Sequence, residues 1–438
     1  MSTLNNPRTI RAWAFFDWAN SAYALVISVA IFPAYYAQVT SERISIGSFS
    51  VSNTGLYAFS ISAAYLLIAL LSPFLSGIAD YGGKKKWFMR LFTTVGSLAC
   101  LSLFFFKEHV GMNGDVQPLG QIFFGTGAFM LATIGFAGAL VFYNAFLPEI
   151  ATEDQYDRVS AKGFSFGYFG SVLLLILNLL MITFPGVFGL PEEGTLAIRL
   201  SFVTVGLWWI GFAQIPFRRL PADQSGQPVR TLFSKGFKEL QRTWRVVRAE
   251  SNMLGFLAAF FFYSAGVQTV LFLAATFAEK ELNFDTSQLI IVILLLQIVA
   301  IGGAQLFARV SEWKGNKFAL ISMLVIWVAI CCTAYFVETD VQFYVIAAAV
   351  GTVMGGIQSL SRSTYSKLLP EKTKDTASFF SFYDILEKLA IVLGTFSFGF
   401  IEQITGGMRN SILALIFFFL LGLVLLISVK IKHSRNAA

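Results

Sequence analysis

Three charged side chains lie close together in an otherwise apolar stretch near the C-terminal end of the chain. Asp384, Glu387 and Lys388 belong to the segment that runs from Thr376 to Phe400. In a helix, residues three and four positions apart are neighbours, so Asp384 can contact both of the others. Two carboxylates and one ammonium leave one negative charge, which a proton, a sodium ion or a substrate amine could neutralise. We therefore predict that this triplet binds or couples a solute; a structural salt bridge between Asp384 and Lys388 is the alternative.

The depth of the triplet supports this prediction. If the helix starts at Thr376, a rise of about 1.5 Å per residue puts Lys388 about 18 Å along it, near the middle of a bilayer core of about 30 Å. Charges at that depth cost about 2.5–3.5 kcal/mol each on insertion scales and usually face the interior of a bundle in pairs.

A second, weaker candidate lies in the first apolar stretch. Asp17 is followed at helical spacing by small and polar residues that form one face, of the kind that lines a water-filled path: Ser21, Ala24, Ser28 and Tyr35. Because Asp17 is only a few residues from the start of the stretch, we predict that it bridges or caps a gate, with proton or cation binding as the alternative. Asn20 and Tyr23 are candidate substrate contacts, although packing fits them equally well.

The sequence offers no residue set for several other chemistries. The three cysteines, Cys100, Cys331 and Cys332, show no metal-ligand spacing. The two histidines, His109 and His433, lie outside the apolar stretches, which excludes a membrane-buried histidine relay. No His-Glu-x-x-His or Walker motif occurs. We predict that the protein is not an enzyme, uses no cofactor and holds no metal.

The elements that must position these residues are long and apolar. Of the 438 residues, 56% are apolar and 13% are charged, against about 25% charged in soluble domains. Twelve nearly charge-free stretches recur without the period-two alternation of strands, and about 20 residues suffice to cross a bilayer. The stretches are Trp13 to Gln38, Thr54 to Ile78, Trp87 to Phe106, Ile122 to Phe146, Gly163 to Leu190, Leu200 to Phe217, Ser251 to Ala278, Thr286 to Ala308, Phe318 to Val337, Val341 to Ser361, Thr376 to Phe400 and Asn410 to Val429. We predict an all-α membrane protein with twelve transmembrane helices.

Lysine and arginine concentrate on one side of this topology. With the N-terminus inside, 26 of the 32 fall in inside loops or ends, as expected because cytoplasmic loops retain positive charge. Both termini are therefore predicted to be cytoplasmic, at the plasma (inner) membrane if the source is bacterial. The first stretch has no small-residue cleavage site and is predicted to be an anchor. This topology explains the net charge of +7, so nucleic acid is not predicted as a partner.

The stretches divide into two sets of six on either side of one long loop. Residues 1–217 and 251–438 are predicted to form two six-helix bundles, joined by residues 218–250. In this linker, apolar residues recur at helical spacing with cations on the other side: Phe233, Phe237, Leu240, Trp244 and Val247 against Lys235, Lys238, Arg242 and Arg245. This pattern is typical of a basic amphipathic helix at the cytoplasmic membrane surface; a calmodulin-like partner site is the alternative.

The two sets of stretches resemble each other. The second-to-third connection, LSGIADYGGKKKW, corresponds to the eighth-to-ninth, LFARVSEWKGNKF, so that Asp80 and Gly83 match Glu312 and Gly315. Parallel six-helix repeats are typical of transporters that rock two bundles around a midplane site. We predict that Asp80, Gly83, Lys84, Glu312 and Gly315 control a gate, and that the glycine turn brings the lysines at 84–86 to the surface.

These motifs resemble a known family. GIADYGGKKKW is similar to the Gly-x-x-x-Asp-x-x-Gly-x-Lys signature of the major facilitator superfamily, in which the aspartate matching Asp80 meets the start of the eleventh helix and keeps the cytoplasmic side shut. More specifically, segments in both halves resemble its vacuole-effluxer branch, which contains autophagy-related amino-acid exporters and many bacterial proteins. These segments are FDWANSAYA at 16–24, FYNAFLPEI at 142–150, SAKGFSFGYFG at 160–170, LWW at 207–209 and GGIQSLSRSTYSKLLP at 355–370.

The resemblance implies a secondary active transporter that works by alternating access, commonly as a monomer, and is coupled to a proton or ion gradient. It implies efflux of amino acids or related metabolites, and the triplet suits a zwitterion whose carboxylate meets Lys388 and whose amine meets Glu387 or Asp384. The eleventh stretch matches the bacterial pattern at Lys388 but departs from it at Asp384, Glu387 and Thr395, so the cargo stays open. Another amphipathic cargo, such as a lysolipid, a peptide or an organic cation, is the alternative. A multi-spanning membrane enzyme is the less favoured class.

Overall fold

Long helices dominate the computed structural model, which describes residues 4–46, 49–107, 119–223, 232–371, 373–405 and 408–431. Within these residues the long helices are α1 (Pro7–Val39), α2 (Asn53–Gly82), α3 (Lys85–Ser102), α4 (Leu119–Ala145), α5 (Tyr156–Thr183), α6 (Leu196–Arg219), α7 (Ser251–Leu282), α8 (Thr286–Lys314), α9 (Asn316–Ala334), α10 (Asp340–Leu368), α11 (Thr376–Thr405) and α12 (Met408–Ser428). A further helix, named the linker helix, spans Leu232–Ala249. An antiparallel pair of β1 (Arg43–Ile46) and β2 (Phe49–Ser52) lies between α1 and α2.

Eleven of the helices in the described residues are long and apolar enough to cross a membrane. Together with the helical content, this confirms the prediction of an all-α, multi-pass membrane protein. Of the helices α1 to α12, the one outside that set is α11, which carries Asp384, Glu387 and Lys388. Its 30 residues measure about 45 Å at about 1.5 Å each, so its length is sufficient to span. It packs on α2 and α4 from one half and on α7 and α12 from the other, and this packing shelters its charged part from lipid.

The two halves of the bundle meet along two seams. One seam joins α11 to α2 and α4, and the other joins α5 to α8 and α10. Because α2 and α8, and likewise α5 and α11, occupy matching places in the two sets of six, the seams are related by the internal repeat.

Glycine allows two helices of the second half to touch backbone to backbone. A Cβ at Gly303 of α8 would lie 2.0 Å from the carbonyl oxygen of Thr352 on α10, and a Cβ at Gly355 would lie 2.1 Å from that of Ala300. Any side chain at these positions would force α8 and α10 apart. Since both helices also pack on α5, this close contact supports the second seam.

The middle of α1 is wound more widely than an α-helix. Tyr23–Ile31 forms a π-helix, and Pro33 lies two residues after its end. Extended π segments are rare, and shorter ones are frequent at functional sites.

The linker helix packs on α2 and also contacts α7 and α11. Thr243 and Val247 are buried, whereas Phe237 and Trp244 are 52% and 45% exposed. One part of the apolar stripe predicted from the sequence is therefore packed against the protein, and another part is exposed. The side chain of Phe233, which belongs to the same stripe, lies outside the described residues.

Candidate functional site

A cavity of about 300 Å³ lies between the two halves. Residues from α1, α2, α4 and α5 face others from α7, α8, α10 and α11 across it. The polar and charged residues of its lining are Asp17, Ser21, Tyr65, Asn144, Tyr168, Ser171, Tyr263, Ser264, Gln268, Gln297, Gln358, Ser361, Arg362, Tyr383, Glu387 and Lys388. The cavity is therefore the place where the chemistry-bearing side chains of both halves converge.

One end of the cavity is closed by an ion pair that joins the halves. Arg362 of α10 donates through Nη1 to Oδ2 of Asp17 on α1, at 3.4 Å, and to Asn144 of α4, at 3.2 Å. Its Nε and Nη2 donate to the hydroxyl and the carbonyl of Ser160 on α5, each at 2.9 Å. The hydroxyl of Tyr143 donates to Asp17 at 2.7 Å. Both charged groups are buried and are held by three helices of the first half.

Aromatic rings enclose the guanidinium of Arg362. Its carbon lies 4.3 Å from the ring centre of Phe164, 4.7 Å from that of Trp13 and 5.4 Å from that of Tyr143. Such contacts are attractive because the ring face carries negative charge. The nearby α5 backbone has no room for a side chain, since a Cβ at Gly163 would lie 2.7 Å from Asp17 Oδ2.

Sequence reasoning missed Arg362, which was counted among the cytoplasmic cations. The signal was present: its α10 segment, SLSRSTYS, puts one arginine among small residues and more than a turn from the helix end at Leu368. Asp17, by contrast, is among the residues predicted from the sequence, and the structure places it in an ion pair with Arg362; its role at a gate stays a prediction.

The triplet of α11 forms one wall of the cavity. Lys388 pairs closely with Asp384, and its Nζ lies 3.6 Å from Oε2 of Glu387. Glu387 also accepts a hydrogen bond from Gln268 of α7, at 3.1 Å. The Asp384 side chain is 2% exposed and does not line the cavity, and its Oδ2 has no hydrogen-bond partner within the described residues. The Glu387 side chain is 27% exposed and faces the cavity.

The two other candidates of the first helix lie elsewhere. Neither Asn20 nor Tyr23 is part of the cavity lining. The hydroxyl of Tyr23 contacts Thr133 of α4 at 2.8 Å, and its ring stacks on Trp209 of α6. Asn20 is fully buried and its amide makes no hydrogen bond within the described part of the chain. The geometry supports the packing alternative for these residues rather than substrate contact, because their side chains turn into the first half.

Two clusters of charged groups close the end of the bundle that carries the linker helix, which we call the linker face. In the first, Asp80 accepts from the backbone N–H groups of Ala377 and Ser378, at 3.2 and 2.6 Å. Lys85 lies 3.1 Å from Asp80 and also pairs with Glu149. A carboxylate at a helix N-terminus is favourable because it meets unpaired N–H groups and the positive end of the helix dipole. Asp80 thus ties α2 to the start of α11 across the first seam.

Part of the lysine prediction was wrong. Lys85 and Lys86 are buried and do not reach the surface, whereas Lys84 is partly exposed. The cause is tertiary: Lys85 lies between two carboxylates, and the Lys86 ammonium donates to the Leu220 carbonyl at 2.8 Å. Gly83, at φ 62°, ends α2 in the left-handed conformation and makes the turn.

The second cluster occupies the matching place on the other seam. Arg158 at the start of α5 makes two hydrogen bonds of 3.0 Å to Glu312 near the end of α8. Next to it, Lys367 lies 2.7 Å from Asp157, which also accepts from Asn316 at 2.7 Å. Sequence reasoning identified Glu312 from the repeat but missed the buried pair of Asp157 and Lys367. Gly315 separates α8 from α9 with φ 88°.

A carboxyl pair joins the linker helix to the start of α11. Asp375 precedes α11, and burial raises its pKa to about 6, an effect to which the nearby Glu239 carboxylate adds and which Arg242 and Lys85 oppose. A proton held at this place would relieve the repulsion between two carboxylates.

Taken together, the charged groups of the cavity and its wall comprise Asp17, Arg362, Asp384, Glu387 and Lys388, with a formal sum of −1. Arg362 uses its donors on protein groups, whereas Glu387 has open surface toward the cavity. The arrangement can therefore hold a solute that brings positive charge.

The amide side chains in the middle of helices lie in two different places. Gln268 and Gln297 line the cavity, whereas Asn178 accepts a hydrogen bond from Thr204 between α5 and α6.

Comparison with known proteins gives a consistent result. A family model described as vacuole effluxer Atg22 like matches residues 5–438. The chain is 32% identical over 429 residues to the uncharacterized MFS-type transporter YxiO of Bacillus subtilis, covering 98% of this chain and 96% of that protein. It is 23% identical over 472 residues to autophagy-related protein 22 of Yarrowia lipolytica, covering 87% of this chain and 76% of that protein.

Solved structures show the same fold at low sequence identity. The major facilitator superfamily transporter FucP, in the outward conformation, superposes with a TM-score of 0.69 at 14% identity and covers 98% of this chain and 100% of its own. A bacterial homologue of the iron transporter ferroportin, in the outward-facing state, gives a TM-score of 0.69 at 12% identity and covers 96% and 98%. The fold is therefore that of the major facilitator superfamily.

Proposed function

This chain belongs to the family described as vacuole effluxer Atg22 like, and from that membership we propose that it exports amino acids or related small metabolites by alternating access, driven by a proton or ion gradient. Its relatives and structural neighbours are transporters and not enzymes, and the chain is a multi-pass membrane transporter. The observation that carries the proposal is a charged cavity between two halves that are bridged by ion pairs at one face.

Alternating access requires contacts that exist in one conformation and break in the other. The pairs of Asp17 with Arg362, Arg158 with Glu312 and Asp157 with Lys367 each join one half to the other. They all lie toward the linker face, so opening that face must separate them. The distribution of lysine and arginine supports a cytoplasmic position for this face, and the described conformation is then the one closed toward the cytoplasm.

Cargo recognition follows from the charges that face the cavity. Glu387 offers a carboxylate to a substrate amine, and Lys388 retains donor capacity for a substrate carboxylate because an ammonium has three N–H groups. Asp384 lies behind Lys388 and fixes its position. A zwitterion would satisfy both groups without leaving a buried charge unpaired, which is costly in a membrane interior.

Coupling is assigned to the same wall. With the net charge of −1, one carboxylate of the triplet has no fixed counter-charge. A proton or a sodium ion at Glu387 would remove this charge and let the empty carrier return. The uncompensated carboxylate thus supports coupling to an ion gradient.

An organic cation is the second candidate cargo, and one specific observation favours it. Aromatic rings line the cavity around the negative sum, among them Phe136, Phe164, Phe260, Tyr263 and Tyr383. Ring faces attract cations as strongly as about 2 kcal/mol when water is excluded. Such a cargo would need Glu387 but not Lys388.

The test is counterflow and gradient-driven uptake of a mixed labelled amino-acid pool in proteoliposomes. Lys388→Met should abolish both amino-acid activities, and Glu387→Gln should lose accumulation driven by a pH or sodium gradient. Lys280→Met is the matched control, since Lys280 pairs with Glu402 outside the cavity. If the folded, monodisperse protein exchanges no amino acid, the cargo proposal is wrong. If Lys388→Met still transports the labelled solute and Glu387→Gln does not, an organic cation replaces the amino acid as the proposed cargo.

A further inference from the structure

The linker helix has two distinct faces. At about 100° per residue, its packing face covers an arc of about 120° and contains the residues that are buried or half-buried: Leu240, Val247, Thr243, Glu239 and Val246. Among the side chains that the structure describes, the neighbouring arc of about 120° contains only exposed residues, in the order Trp244, Phe237, Arg248, Gln241, Arg245 and Lys238. An aromatic ridge therefore separates the packing face from a row of three cations.

The position of the helix brings this exposed arc to the membrane boundary. The linker helix ends at Ala249 and α7 begins at Ser251, so the helix joins a spanning segment directly. It lies against α2 and contacts α11, and the Trp244 ring centre is 5.4 Å from that of Phe382 on α11. A helix held beside the bundle at this level presents its aromatic ridge to the layer where lipid headgroups meet acyl chains.

The chemistry of the arc selects among lipids. Tryptophan and phenylalanine insert at the headgroup boundary, and lysine or arginine beside them attracts anionic headgroups. Arg242 is not part of this row because it lies on the far flank, where it pairs with Glu239 at 3.3 Å. The three cations next to the ridge carry no acidic residue among them in the exposed arc.

We propose that Lys238, Arg245 and Arg248, together with the ridge of Phe237 and Trp244, form a binding surface for anionic phospholipid headgroups. The surface does not depend on the identity of the cargo and goes beyond the transport proposal. Because Trp244 also packs on α11, a lipid bound here lies one side chain away from the helix that Asp80 holds at the linker face.

The test measures contact between Trp244 and lipid. The full-length protein is reconstituted in bilayers that contain phosphatidylcholine and phosphatidylglycerol, with bromine on the acyl chains of one or the other. The quenching that belongs to Trp244 is the difference between the wild type and Trp244→Phe. We expect brominated phosphatidylglycerol to give at least about twofold more Trp244-specific quenching than brominated phosphatidylcholine. This excess should disappear at about 1 M NaCl, where the Debye length is about 3 Å.

A matched pair of variants separates the surface from general charge. Lys238→Gln, Arg245→Gln and Arg248→Gln combined should equalise the two lipids, whereas neutralising three exposed cations elsewhere, Arg8, Arg11 and Arg309, should not. Equal quenching by both lipids in the wild type, or no quenching of Trp244 by either, would overturn the proposal, as would an equal loss in the control. If the triple variant does not fold, the salt titration of the wild type still decides between these outcomes.

Discussion

Replacing Arg362 by methionine removes the cation that joins α10 to α1, α4 and α5, while methionine keeps part of the side-chain volume. Asp17 then stays buried without its counter-charge. Breaking a buried pair by removing one partner costs about 3–5 kcal/mol. The cost applies only to the conformation closed at the linker face, because opening separates the pair in any case. At about 1.4 kcal/mol per tenfold, even about 3 kcal/mol shifts the closed-to-open ratio by about a hundredfold.

The assay is labelling of a single cysteine at Ala308 in a chain whose native cysteines are replaced. Ala308 of α8 is buried against Ala161 of α5 at the second seam, so a thiol-reactive probe reaches position 308 only when the linker face opens. We expect Arg362→Met to raise the labelling rate by about two orders of magnitude, limited by the rate of full exposure. Adding Asp17→Asn to Arg362→Met should lower the labelling rate again in part, because no buried charge then lacks a partner.

A control defines what would refute the reasoning. Arg409 pairs with Glu281 at 3.1 Å within the second half, so Arg409→Met removes a cation without touching a seam and should leave the labelling rate unchanged. A labelling rate for Arg362→Met close to that of the parent chain, or equal increases in both variants, would show that the pair of Asp17 and Arg362 does not hold the linker face closed.

Three further predictions concern the seams. Asp80→Asn weakens the hold on the start of α11 by about 1–3 kcal/mol, so labelling at position 308 should increase, though less than for Arg362→Met; an unchanged rate contradicts the assigned role. Asp375→Asn should flatten the pH dependence of that labelling. Because the pKa of Asp375 is raised to about 6, its carboxyl is neutral in the closed state at low pH, and the closed state loses stability as the pH rises from about 4 through about 6. A pH profile of the variant that equals that of the parent chain contradicts the assignment. Gly303→Leu should prevent stable assembly, because its Cβ meets an α10 carbonyl at 2.0 Å, whereas Gly302→Leu, with open space within 4 Å, should not; equal melting temperatures of the two purified variants would contradict the packing argument.

The fold could be predicted from the sequence because its information is local. Each apolar run long enough to span becomes a helix, and the correspondence of Asp80 with Glu312 singles out two carboxylates that lie at the two seams. The adjacency of Asp384, Glu387 and Lys388 also followed from helical spacing alone. The family resemblance, now confirmed over residues 5–438, added the contact between Asp80 and the start of the eleventh helix.

The remainder of the site depends on which helix faces meet, and that is a non-local property. From the sequence alone, Arg362 and Lys367 are expected to be cations of a loop or a helix end. In the structure they pair with Asp17 of α1 and Asp157 of α5. Lys85 and Lys86 read as surface lysines until carboxylates and a carbonyl enclose them. Asn20 is polar and adjacent to the cavity-lining Ser21, yet it turns into the first half. The hydropathy pattern along a single helix predicts none of these contacts.

The most direct test of the central claim is the distance across the linker face in lipid, measured between spin labels at Asp154→Cys and Lys314→Cys. Residue 154 lies just before α5 and residue 314 at the end of α8, and both are exposed, so the distance reports on the second seam. Alternating access predicts a short-distance population in the absence of cargo and a second, longer one that grows when a transported amino acid is added and dominates in Arg362→Met. A single distance that responds neither to a transported cargo nor to the loss of Arg362 would contradict the opening of this face.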